Sequence, residues 1–144
     1  MSDLLLAGAY AGGAAGAILT LLSHIAPRLG AGNFIRDLDD PQIFGRAISH
    51  REAHFIGILV HLVACILSGL IFALGVERAW LSGFHVLPML GWSTFVLLLS
   101  SCIIMPLEGH GFFGRKHDAW FVVDAFVTNL LWGGLYLTFI RLWT

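Results

Sequence analysis

His50, His54 and His61 recur at spacings of four and seven. At 100° per residue that places three imidazoles within roughly 40° of arc on one helical face. Neutral imidazole ligates zinc, copper or iron, and His50 with His54, at i and i+4, can offer two nitrogens to one ion. A second polar stripe follows further along the chain, where His117, Asp124 and Thr128 share a face at spacings of seven and four. His61 and Asp124 are expected at similar depths from the same end, so the pair is a candidate for binding a cofactor, as is His54. His24 closes an earlier apolar stretch, and Glu108 and His110 precede His117 in a short polar segment. The expected metal ligands are therefore His24, His50, His54, Glu108, His110 and His117.

This chemistry falls short of an obvious enzyme. His50-Arg51-Glu52-Ala53-His54 is not the H-E-x-x-H of zinc proteases, because its carboxylate points away from the histidine face. No nucleophile elbow, phosphate-binding loop or Glu-x-x-His di-iron motif occurs. A haem, chlorin or quinone between helices remains compatible, since one axial histidine suffices for some pigments and polar side chains suffice for a quinone. A bis-histidine haem is disfavoured, because the last apolar stretch has no histidine at the depth of His61.

Apolar segments must position these residues. Of 144 residues, 58% are hydrophobic and 12% charged, with mean hydropathy +0.84, a balance that suits lipid as solvent. The net charge of −1 offers no field for nucleic acid. Spanning a hydrocarbon core takes about 20 apolar helical residues. Four segments qualify: residues 4–25, 55–76, 86–105 and 119–142. Residues 41–53 are expected at the interface, with Asp39-Asp40-Pro41 as a helix start. Ser82 and Pro88 mark the start of the third helix, and Pro106 with Gly109 its exit. The first segment has no basic region before it and reads as a membrane helix rather than a cleaved signal. Cys65 and Cys102 fall in apolar stretches and are expected as free thiols. Trp80, Trp92, Trp120 and Trp143 are expected near helix ends, where indoles suit the headgroup region.

The expected fold is an all-α integral membrane protein, a four-helix transmembrane bundle occupying the whole chain as one domain. Arg28, Arg36, Arg46, Arg51, Arg115 and Lys116 fall in the first and third loops, against Arg78 and Arg141 on the other side. By the positive-inside rule both termini face outward, across the inner membrane if the source is bacterial. Six of the seven histidines then share the loop-one and loop-three side; only His85 is opposite.

Ile25 to Phe34 and Ile104 to Phe113 both read I-x-P-x-x-G-x-G-x-F. Each copy follows an odd-numbered helix, so duplication would make two parallel helix-hairpin repeats about an axis along the membrane normal. In the first helix Gly8, Gly12, Gly16, Thr20 and His24 recur every fourth residue, a strip where another backbone can approach closely. Ser68-Gly69 and Gly133-Gly134 offer similar contact points.

Two functions fit. One is a small membrane subunit or accessory protein of a larger redox, photosynthetic or transport assembly, holding a transition metal or a haem, chlorin or quinone through the histidine and carboxylate cluster. Its partners would be the lipid bilayer and other membrane subunits or further copies of itself. The alternative is a small oligomeric transporter or channel in which His61 and Asp124 handle protons or ions. Enzymatic action by the chain alone is disfavoured.

Overall fold

The computed structural model describes residues 2–25, 42–43, 46–47, 49–107, 111–114 and 121–143. Four of its helices are long and apolar enough to cross a membrane. They are α1 (Asp3–Ile25), α2 (His50–Glu77), α5 (Phe121–Trp143) and the continuous stretch Val86–Ile103, of which α3 (Val86–Leu99) is the larger part. Helix α3 runs on as a π-helical turn, Ser100–Ile104, and a short α4, Met105–Leu107, before a 3-10 turn at Phe112–Gly114. The only β structure among the described residues is a two-residue antiparallel pair, β1 (Gln42–Ile43) and β2 (Arg46–Ala47).

Helix α2 starts at His50 rather than at Asp39-Asp40-Pro41, three residues that lie outside the described set. The stronger start signal is Ser49: its side chain accepts from the Glu52 backbone N–H, while the Glu52 carboxylate accepts from the Ser49 backbone N–H at 3.0 Å. This capping box satisfies donors at both ends of the first turn. At the other end the N–H groups of Ala79 and Trp80 donate to Val76 and Gly75, a Schellman closure that puts Ala79 at φ 57°.

The face α1 buries consists of Ala7, Gly8, Ala11, Gly12, Ala15, Gly16 and Leu19. With so little side chain between them, α1 and the antiparallel α2 meet at backbone distance. A Cβ at Gly69 would lie 2.9 Å from the Gly12 Cα, and one at Gly16 would lie 2.7 Å from the Cys65 Cβ. The glycine strip therefore packs against α2 of the same chain. Dispersion and weak Cα–H···O contacts reward such proximity, which a single methyl would prevent.

Hydrogen bonds tie the remaining helices to this pair. The Tyr136 hydroxyl on α5 donates to the Gly69 carbonyl at 3.0 Å, and the Trp132 indole donates to the Gly12 carbonyl at 3.3 Å. The Trp92 indole donates to Ser68 Oγ at 2.9 Å, joining α3 to α2, and Ser93 Oγ donates to the Asn129 carbonyl at 3.3 Å, joining α3 to α5. Trp92 is thus an interior tie rather than an interfacial ring; Trp120 lies outside the described residues. Phe72, fully buried, packs edge-on to Trp92 and Tyr136. In contrast, Phe55, Leu59, Val60, Val63, Leu67 and Ile71 leave the outer face of α2 uncovered, as a lipid-facing surface would be.

Of the duplicated loop motif, most of the first copy lies outside the described residues, so the two loops have no structural comparison. The helices before them pack differently. The register that aligns Ile25 with Ile104 aligns Gly12 with Gly91, yet Gly91 faces open space where Gly12 meets the Cys65 carbonyl.

This contrast makes a paired prediction. Gly12→Ala should destabilise the protein by about 1–3 kcal/mol, the usual cost of overpacking. Gly91→Ala should be neutral or stabilising, since alanine is the better helix former by about 1 kcal/mol. Equal thermal unfolding midpoints for the two variants in one detergent would contradict the close α1–α2 contact.

Candidate functional site

At its C-terminal end α1 carries three polar residues in its last two turns. Thr20 Oγ1 donates to the Gly16 carbonyl at 2.9 Å and Ser23 Oγ donates to the Thr20 carbonyl at 2.7 Å. The His24 ring bends back so that its Nδ1 is also 2.7 Å from the Thr20 carbonyl. A carbonyl only accepts, so the proton of this bond sits on Nδ1. In the neutral ring that leaves Nε2 with a lone pair, which faces His54 on α2: the two Nε2 atoms are 2.9 Å apart, with ring centroids at 5.0 Å and planes inclined at 72°. One proton lies between them, carried by His54 when His24 is neutral. Two imidazoles from segments 30 residues apart are thus brought into direct contact by the antiparallel helix pair.

His54 owes its direction to its place on α2. The capping box fixes the first turn and occupies the Glu52 carboxylate, which also accepts from Ser49 Oγ at 2.7 Å. His50, one turn before His54, is exposed and not hydrogen-bonded to the pair. Glu108, His110 and His117, the remaining expected ligands, lie outside the described residues. Among the described residues no three His, Cys, Asp or Glu side chains converge as a metal-holding group.

Two turns deeper on α2, His61 is half-buried against α1, facing the Gly16 carbonyl. Its Nε2 is 3.6 Å from Cys65 Sγ. Cys65 is buried between Gly16 and Trp132 and is a free thiol, as is Cys102. The four-residue spacing of His61 and Cys65 was visible in the chain. The contact with Trp132, which comes from α5, was not.

Asp124 is half-buried on α5. Its backbone carbonyl accepts from Thr128 Oγ1 at 2.8 Å, and no hydrogen bond or ion pair joins its carboxylate to His61 among the described residues. The pairing that similar depth allowed is therefore not made among the described residues, for a geometric reason. Helix α5 packs mainly on α1 and α3, whereas His61 points into the seam between α1 and α2.

No family model, curated protein or solved structure matches this chain.

The polar residues therefore form a graded seam along α1 and α2. His24 and His54 stand at the loop-one end of α1 and α2, with Thr20 and His61 one to two turns along and Cys65 beyond them. Beyond Cys65 the seam shuts, because Gly12 and Gly69 bring the two backbones together and Trp132 and Tyr136 cap their carbonyls.

The buried thiol gives a direct check on this packing. In a Cys102→Ser background, N-ethylmaleimide should leave Cys65 unlabelled in the folded protein and modify it on denaturation, as read by intact mass. Rapid labelling without denaturation would show that the seam is open at Cys65.

Proposed function

We propose that this chain is a small integral membrane subunit that crosses the bilayer four times and holds a transition-metal ion at the His24–His54 end of the α1–α2 seam. The carrying observation is the 2.9 Å approach of the two Nε2 atoms, with the His24 ring oriented by the Thr20 carbonyl. Metal-bound histidines commonly donate their other ring N–H to a carbonyl, which fixes tautomer and direction. At zinc–nitrogen distances of about 2.0–2.1 Å, a tetrahedral ion separates its nitrogens by about 3.3 Å. A small outward rotation of either ring admits the ion in place of the shared proton. Two imidazoles leave further positions, for which His50, Glu108, His110 and His117 are the candidate donors, together with water.

A metal suits the seam better than a haem, chlorin or quinone. A flat cofactor needs a slot between helices, and α1 and α2 close to backbone contact only a few turns from the pair. Transport through His61 and Asp124 has less support, since α1 and α2 close to backbone contact at Gly12 and Gly69 and no hydrogen bond or ion pair joins the carboxylate to the imidazole among the described residues. The excess of Arg and Lys in the first and third loops orients both termini outward and turns the histidine end inward. The loop motif shared by Ile25–Phe34 and Ile104–Phe113 supports an origin by duplication, followed by divergence at Gly12 and Gly91. The uncovered aliphatic face of α2 suits lipid or a neighbouring membrane subunit.

Titration of metal-free protein with Co(II), followed by its visible absorption, tests the site. One ion per chain is expected, displaced by Zn(II), with His24→Ala and His54→Ala each weakening binding by at least about 10-fold. Unchanged affinity in both variants would remove the site, and replacement of Asp124 by Asn should leave metal affinity unaltered.

A further inference from the structure

Ser101 is fully buried, and among the described residues its hydroxyl is the one buried side-chain polar atom without a hydrogen-bond partner. An unpaired buried hydroxyl is costly and calls for a physical explanation. Its place in the chain supplies one. Ser101 belongs to the π-helical turn Ser100–Ile104, in which the Met105 N–H donates to the Ser100 carbonyl, five residues back. Pro106, next along, has no N–H. The Ser101 carbonyl therefore loses both helical donors: the residue four ahead bonds elsewhere, and the residue five ahead cannot bond. One residue thus offers a buried hydroxyl and a carbonyl stripped of its helical partners.

The neighbouring Ser100 contrasts with it. Its hydroxyl donates back to the Val96 and Leu97 carbonyls at 3.0 and 3.1 Å, so a serine on this helix readily satisfies itself. Ser101 does not, and the described surroundings offer it no substitute. The 3-10 turn Phe112–Gly114 packs against the π-turn, with Gly114 buried and held at φ 63°. π-turns inside α-helices often mark functional sites, because the wide turn redirects side chains and frees backbone groups.

We propose that the π-turn of α3 binds one small hydroxyl-bearing ligand, which accepts from Ser101 Oγ and donates to the Ser101 carbonyl. A group that both accepts and donates is required: an internal water does this, as does the hydroxyl of an alcohol or phenol. A metal cation is a poor match, because two oxygens on one residue are far from the six or more that hard cations take. The site is separate from the imidazole pair, being on α3 rather than in the α1–α2 seam.

The sign of one substitution decides the matter. If a ligand bridges hydroxyl and carbonyl, Ser101→Ala strands it and lowers the thermal midpoint of the detergent-solubilised protein, by on the order of 4 °C. If nothing binds there, the same change deletes an unpaired polar group, and the midpoint stays or rises, which overturns the proposal. Native mass spectrometry separates the sources: an organic mass retained by wild type and lost in Ser101→Ala identifies an alcohol or phenol, and its absence assigns the site to water. Should the alanine variant not fold, water-edited and ligand-edited solid-state NMR of wild type decides instead. Magnetisation transfer to Ser101 from either source supports the site, and transfer from neither refutes it.

Discussion

The contact between α1 and α2 sets everything else in this molecule. Glycine and alanine at every turn of α1 remove the side chains that normally hold helices 8–10 Å apart, and Gly69 removes the opposing one. In lipid no hydrophobic force draws helices together, so close dispersion contact and polar ties must do so. Both are present here: the backbones touch at Gly12 and Gly69, and the two carbonyls exposed by that approach receive the Trp132 indole and the Tyr136 hydroxyl. The fourth long helix is thereby anchored on the first two, and α3 is held through Trp92 and Ser93.

The chemistry follows from the same contact. Because the helices are antiparallel and packed tightly along the N-terminal part of α1, the C-terminal part of α1 and the start of α2 carry larger polar residues facing one another. His24 then meets His54, and His61 lies over Gly16 beside Cys65. The length of the polar stretch is set by where glycine takes over from histidine and threonine along α1. Had the strip continued as glycine through position 24, no imidazole pair would form; had bulky residues replaced Gly8 and Gly12, the imidazoles would stand apart.

Much of the fold could be read in the residues themselves, since four apolar runs of the right length leave little choice, and the every-fourth-residue strip in α1 announced a close partner. The start of α2 was misplaced because Asp39-Asp40-Pro41 resembles a cap, while the reciprocal Ser49–Glu52 pair is the signal that governs. Trp92 was assigned to the interface on its position alone; its inward turn depends on Ser68 from another helix, which periodicity does not reveal. The His24–His54 contact was half legible: both residues fell on one side of the bundle, but their register depends on how far α1 slides along α2, a quantity that Gly12 and Cys65 fix through packing. The depth of Asp124 along its helix allowed a pairing with His61, but no hydrogen bond or ion pair joins them among the described residues, because depth along a helix says nothing about which neighbour that helix faces. The π-turn was foreshadowed only by Pro106, which forbids a normal hydrogen bond without saying how the helix yields.

The most direct test of this account is nitrogen NMR of metal-free protein in lipid nanodiscs with its histidine rings labelled. A coupling across an N–H···N hydrogen bond should connect His24 Nε2 with His54 Nε2 in the wild type and vanish when Gly12 is replaced by Leu, which forces the helices apart. Two independent imidazoles without that coupling in the wild type, or a coupling that survives Gly12→Leu, would contradict the claim that backbone contact between α1 and α2 builds the site.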